Sequence, residues 1–224
     1  MADNRSPALK NLSTPRAAAA AGVIFAVLFG TALILIRLAL PEGADPGAQW
    51  VVTGSTNLKV AATIMPFAAI AFLWFMGVVR DGLGHYEDKF FSTVFIGSGL
   101  LFLAMMFVAS GVGAGLERSH VSADPDVATF GQMVMLAVAK TYALRMAAVF
   151  MISLATIWLK TGLMPRWLVA VSYLAAVGLL VSSDISMWLT LAFPVWVLVV
   201  SVLLLTRAGV IDLDRDEHES PDTA

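Results

Sequence analysis

Residues 17–36 read AAAAAGVIFAVLFGTALILI, a run with no charged side chain between Arg16 and Arg37. A helix of about twenty residues measures about 30 Å, the thickness of a bilayer's hydrocarbon core. Lipid offers the backbone no hydrogen-bond partner, so such a segment must bond within itself as a helix. The run is too long for the apolar core of a typical signal peptide, despite Arg5, Lys10 and Arg16 before it. No small-residue cleavage signal follows. It reads as an uncleaved first membrane helix.

Five more apolar stretches follow. Together they predict an all-α polytopic bundle of six spanning helices, at about 17–40, 58–79, 90–113, 141–159, 166–182 and 185–206. Residues 125–140 are expected to be helical ahead of the fourth span. The bulk composition agrees: of 224 residues, 59% are hydrophobic and 13% charged, with mean hydropathy +0.84. A soluble domain carries roughly 25% charged residues. The layout is a polar tail over 1–14, a membrane domain over 15–207 and an acidic tail over 208–224. Both tails are expected to be unstructured and solvated.

Orientation follows from Lys and Arg counts. With six spans both tails share a side, which holds Arg5, Lys10, Arg16, Arg80, Lys89, Lys160, Arg166, Arg207 and Arg215. The other side holds Arg37, Lys59 and Arg118. Nine against three predicts cytoplasmic tails. Pro66 and Pro194 are expected to kink the second and sixth spans.

The segment before the fourth span is the unusual element. Asp124-Pro125-Asp126 suits a helix start, with a capping carboxylate and proline at the first helical position. From there to Lys160 only Gly131 interrupts the helical pattern, which makes about 54 Å of helix. The expected arrangement is an interfacial helix leading into a normal span. A re-entrant or broken helix lining a cavity is the alternative. Gly162 and Pro165 then mark a short turn into the fifth span.

Two features stand out as candidate sites. Ala18, Gly22, Ala26 and Gly30 recur every four residues as one small-residue stripe, which lets helices approach closely in lipid. Contact with another span of the same chain is the plain reading, and a homodimer or partner-subunit seam the other. Lys140, Arg145 and Asp184 form the second candidate, a polar cluster in the half of the membrane away from the tails. Charges at that depth are costly unless paired or wet. Three readings stand: an N-terminal cap at Asp184 with a snorkelling Arg145, an Arg145–Asp184 ion pair, or a substrate or proton site. The polar loop 80–89 reads as a charged hairpin connection, with a partner- or ligand-binding loop as the alternative.

The chemistry of known intramembrane catalysts finds little here. There is no cysteine, hence no disulfide, thiol nucleophile or Cys-ligated metal. His85, His120 and His218 fall in loops or the tail, which does not suit an intramembrane haem. No H-E-x-x-H and no P-loop occurs. No cofactor and no metal are expected. A net charge of −2 without a basic stripe excludes nucleic acid as an expected partner. The expected partners are the lipid bilayer and either a second copy or another membrane protein.

The stretches 72–81 and 87–102, with Arg145-Met-Ala-Ala-Val-Phe150, Met164-Pro-Arg-Trp167 and Phe193-Pro-Val-Trp196, resemble a group of uncharacterised bacterial integral membrane proteins common in actinobacteria. The resemblance covers roughly residues 60–205. It implies a bacterial plasma membrane location, and it carries no activity, substrate, cofactor or catalytic residue. The expected function is therefore a non-enzymatic membrane bundle that binds a partner protein or supports envelope assembly. A small carrier with an anion- or proton-sensitive site at Arg145 and Asp184 is the alternative. An enzyme acting on lipid is third.

Overall fold

The structure is a computed structural model. It describes the backbone of residues 14–39, 49–83, 89–118, 125–182 and 190–216, and the side chains of 19–39, 56–81, 89–116, 126–181 and 190–206. The helices are α1 (Thr14–Ala39), α2 (Gln49–Leu83), α3 (Lys89–Arg118), α4 (Pro125–Leu136), α5 (Leu144–Thr161), α6 (Arg166–Ser182) and α7 (Ala192–Asp216). A π-helical segment, Ala137–Ala143, joins α4 to α5. No strand occurs among the described residues.

Among the described residues four helical stretches are long and apolar enough to cross a membrane: Ala19–Ala39, Thr56–Asp81, Lys89–Leu116 and Asp126–Thr161. Arg166–Val181 and Ala192–Thr206 are shorter apolar helices. The chain is accordingly an all-helical membrane protein.

Several element ends differ from expectation. Residues 125–161 form one continuous helix through the π-helical segment. Its first part packs on α3: Ala128, Gly131 and Met135 are buried, and Gly131 lies beneath Leu116. α2 starts at Gln49 and α3 runs to Arg118, so both reach well past their apolar windows. Pro66 sits inside an α2 that runs unbroken. Pro194 falls in the first turn of α7, where a missing N–H breaks no intrahelical bond, so it starts this helix and does not kink it. Residues 208–216, expected as unstructured, continue α7 as helix to Asp216. The tail 1–13 and residues 217–224 lie outside the described residues, as do 185–189 of the sixth expected span.

The α5–α6 turn is built locally. Gly162 adopts φ 68°, ψ 9°, and its N–H donates to the Trp158 carbonyl at 2.9 Å. A side chain in that left-handed conformation is strained, which is why glycine stands there. Pro165 then offers its carbonyl to the Leu168 and Val169 N–H groups at 3.0 and 3.3 Å, opening α6. Higher in the hairpin the hydroxyls of Thr156 and Tyr173 meet at 2.6 Å.

Around the bundle the helices follow the order α1, α2, α3, α5, α6, α7. α1 lies closest to α2 and α7, because small side chains line those seams: Ala21, Gly22, Ala32, Ala61, Ala68 and Ala71 are buried. α7 meets α5 and α6 differently, through large rings. Phe193 stands 6.0 Å from Phe150 between ring centroids, and Trp196 stands 6.1 Å from Trp158. Buried serines satisfy their hydroxyls within their own helices: Ser98, Ser153, Ser172 and Ser201 each donate to the carbonyl four residues back at 2.7 or 2.8 Å.

Candidate functional site

Depth in the membrane can be counted from basic side chains. Arg16, Arg80 and Lys160 lie at one end of α1, α2 and α5. Arg37, Lys59 and Lys140 lie about twenty residues away on the same continuous helices, or about 30 Å. The two sets are one hydrocarbon thickness apart. At the first end Lys160 holds its ammonium 4.5 Å above the Phe91 ring.

Halfway between them the bundle is filled by aromatic rings. Phe72 of α2 is the hub, with Phe25 at 4.6 Å, Phe150 at 5.2 Å, Phe102 at 5.6 Å and Phe193 at 5.8 Å. Phe29 and Phe95 extend the cluster. All seven are 2% exposed or less. Every helix of the ring except α6 contributes at least one. Among the described side chains the only carboxylates are Asp81 and Asp126, both at helix ends. Among the described residues no group of three His, Cys, Asp or Glu could hold a metal ion.

Toward the Arg37 end the packing opens. A crevice of about 60 Å³ lies between α1, α2, α3, the α4–π segment and the start of α7. Its wall is mostly apolar, from residues such as Phe29, Leu33, Leu58, Met106 and Met135, and it holds two cations, Arg37 and Lys140. Among the described residues that line it there is no carboxylate. Nη1 of Arg37 is buried, and Lys140 is half-buried. Lys140 sits on the π-helical segment, whose extra residue per turn changes which side chains face the bundle. A second, open cavity of about 370 Å³ lies between α2 and α3, with Lys59 at its edge. The two share Ala62, Ser110 and Ala114, so only small side chains separate them.

The sequence-derived candidates distribute as follows. Lys140 lines the crevice, whereas Arg145, half-buried on α5, does not. Asp184 lies outside the described residues. Lys140 shares its cavity with Arg37, which sequence reasoning had placed only as a boundary charge. The similar spacings of Arg16–Arg37 and Lys140–Lys160, 21 and 20 residues, signal a common depth for Arg37 and Lys140 and leave their facing open. In the small-residue stripe, a Cβ on Gly22 would collide with Oγ of Ser201 on α7 and sit 2.8 Å from Phe75 on α2. Ala26 is buried at 7% exposure, while a Cβ on Gly30 would meet nothing within 4 Å. Ala18 lies on the α1 backbone, with its side chain outside the described set.

Compared with known protein families, curated proteins and solved structures, the chain matches none.

Proposed function

We propose that this chain is a six-span bacterial plasma-membrane protein with cytoplasmic tails, and that it works as a non-enzymatic bundle that binds a partner within the membrane. The observation that supports binding over conduction is the aromatic layer around Phe72. A polar solute crossing the bundle would have to part seven interlocked rings and leave water for an apolar layer. The α6 helix, 17 residues or about 26 Å, is still within the range that spans a bilayer.

Single cysteines test this directly, since the chain has none of its own. Ala68→Cys and Ala147→Cys sit at buried positions of the central core. Both should stay inert to membrane-impermeant thiol reagents from either side, and proteoliposomes should show no solute flux. Labelling at either position would sink the sealed-bundle reading.

The carrier reading retains one supporting observation. The Thr156–Tyr173 contact sets the antiparallel register of α5 and α6. About eleven residues back from Thr156 stands Arg145 on α5. The same count forward from Tyr173 passes Ser182, where described α6 ends, and reaches Asp184 in the sequence. An Arg145–Asp184 pair of structural kind predicts that the double variant Arg145→Asp, Asp184→Arg folds while either single one does not. A transport site predicts flux that Arg145→Gln abolishes in a protein that still inserts.

A further inference from the structure

We propose that the junction of the crevice with the open cavity between α2 and α3 is a hydration site, in which a water bridges the Ala62 carbonyl of α2 to the Ser110 hydroxyl of α3. The carbonyl comes first. In an α-helix the carbonyl of residue 62 accepts from the N–H of residue 66, and residue 66 is Pro66, which has none. α2 runs unbroken through that proline, so the Ala62 carbonyl is left without its usual donor. Membrane helices tolerate proline where side chains, neighbouring helices or ordered water take up the released carbonyl.

The hydroxyls nearby narrow the choice. Thr63 already donates to the Lys59 carbonyl at 2.9 Å. Ser110 and Ala62 both line the crevice and the open cavity, so they meet at one gap from two helices. Ser98, Ser153, Ser172 and Ser201 each donate to the carbonyl four residues back. Ser110 breaks that habit: among the described residues it makes no hydrogen bond, to its own helix or to Ala62. A water donates to the carbonyl and accepts from the hydroxyl in one step.

The space suits it. A water needs about 10–15 Å³ and two to four polar partners. The crevice offers about 60 Å³, and the Thr63 oxygen in the wall of the open cavity is a third partner. A Cβ on Gly111 would meet nothing within 4 Å, so the α3 side of that cavity is clear. Ala62 stands about 4.5 Å along α2 from Lys59 and about 15 Å from Phe72. Water therefore enters one end of the bundle and stops short of the aromatic layer. Lys140 lines the same crevice, and water held there gives its ammonium the hydration that a charge at that depth requires.

The site goes beyond the partner-binding reading and does not depend on it. Ala-Thr occurs three times in the chain, as Ala62-Thr63, Ala128-Thr129 and Ala155-Thr156. Full-length protein with carbonyl-labelled alanine and nitrogen-labelled threonine, in phosphatidylcholine bilayers, therefore gives three pair-filtered carbonyl signals by solid-state NMR. Polarisation from water protons should build up several times faster at Ala62 than at Ala155, which is fully buried in α5. Ser110→Ala should slow the Ala62 build-up toward the Ala155 rate. Pro66→Ala, which restores the N–H, should do the same. Equal build-up at Ala62 and Ala155 in the unaltered protein overturns the site without reliance on any variant. Build-up at Ala62 from lipid headgroup protons in place of water overturns it in favour of a lipid hydroxyl. Fast build-up that survives both substitutions overturns it in favour of bulk exposure.

Discussion

Trp196 donates its indole N–H to the Ser172 hydroxyl across 2.8 Å, joining α7 to α6 inside the bundle. The same hydroxyl donates to the Leu168 carbonyl, so one buried serine both accepts and donates. Ser172→Ala strands the indole N–H where no water competes. Interhelical hydrogen bonds in membranes average about 0.6 kcal/mol and reach about 1.7. We expect a loss in that range for Ser172→Ala. A double-mutant cycle with Trp196→Phe, read by unfolding in micelles, should recover a coupling of similar size.

The small-residue stripe divides into close and open positions. Gly22→Ala pushes a methyl into Ser201 Oγ and toward Phe75, so it should cost about 1–3 kcal/mol. Gly30→Ala meets nothing within 4 Å and should be neutral or better, since alanine favours helix. Combining Gly22→Ala with Ser201→Ala removes the colliding oxygen and should restore part of the loss. Equal thermal midpoints for the two single variants would contradict the seam.

Phe72 and Trp74 stand two residues apart on opposite faces of α2. Phe72 is fully buried and Trp74 is 69% exposed. Phe72→Ala should destabilise by about 3–5 kcal/mol, because the ring leaves a cavity at the hub of the cluster. Trp74→Ala, on a face turned to lipid, should shift stability by no more than about 0.5 kcal/mol. Parallel thermal unfolding of both variants in one detergent checks the contrast.

Gly162→Ala places a Cβ on a residue at φ 68°. No neighbour obstructs that methyl, so the cost is backbone strain alone, about 1 kcal/mol. The midpoint of unfolding should fall slightly, with helix content by circular dichroism unchanged. A larger loss would mean the α5–α6 turn carries more than its local geometry.

The helices were legible because lipid leaves the backbone one option, and charge-free runs such as 17–36 announce it. The Gly162–Pro165 turn was legible for a similar reason: both residues have strong backbone requirements. The starts and ends of α2 and α3 were not, since Gln49 and Arg118 lie beyond the apolar runs that hydropathy records. Nor was the close fit of Gly131 under Leu116, because hydropathy does not record packing. Pro194 misled because the same residue kinks a helix from within and starts one from its first turn. For Lys140 and Arg145, counting along the chain gives depth but not direction. The π-helical segment between Leu136 and Leu144 shifts the facing of everything around it, and no residue in AVAKTYA signals it. Arg37 thus became the neighbour of Lys140 in the crevice wall through azimuth, which a linear count leaves open.

Phe193 and Trp196 enter the middle of the bundle from α7, which follows α1 through α6 in the chain. As the protein is made, α1 through α6 are complete before either ring exists. Until α7 arrives, Phe25, Phe72, Phe102 and Phe150 lack the neighbour that closes the space between them. The centre of the bundle is therefore completed only once α7 is made, and α7 also closes on α1 through Ser201 against Gly22.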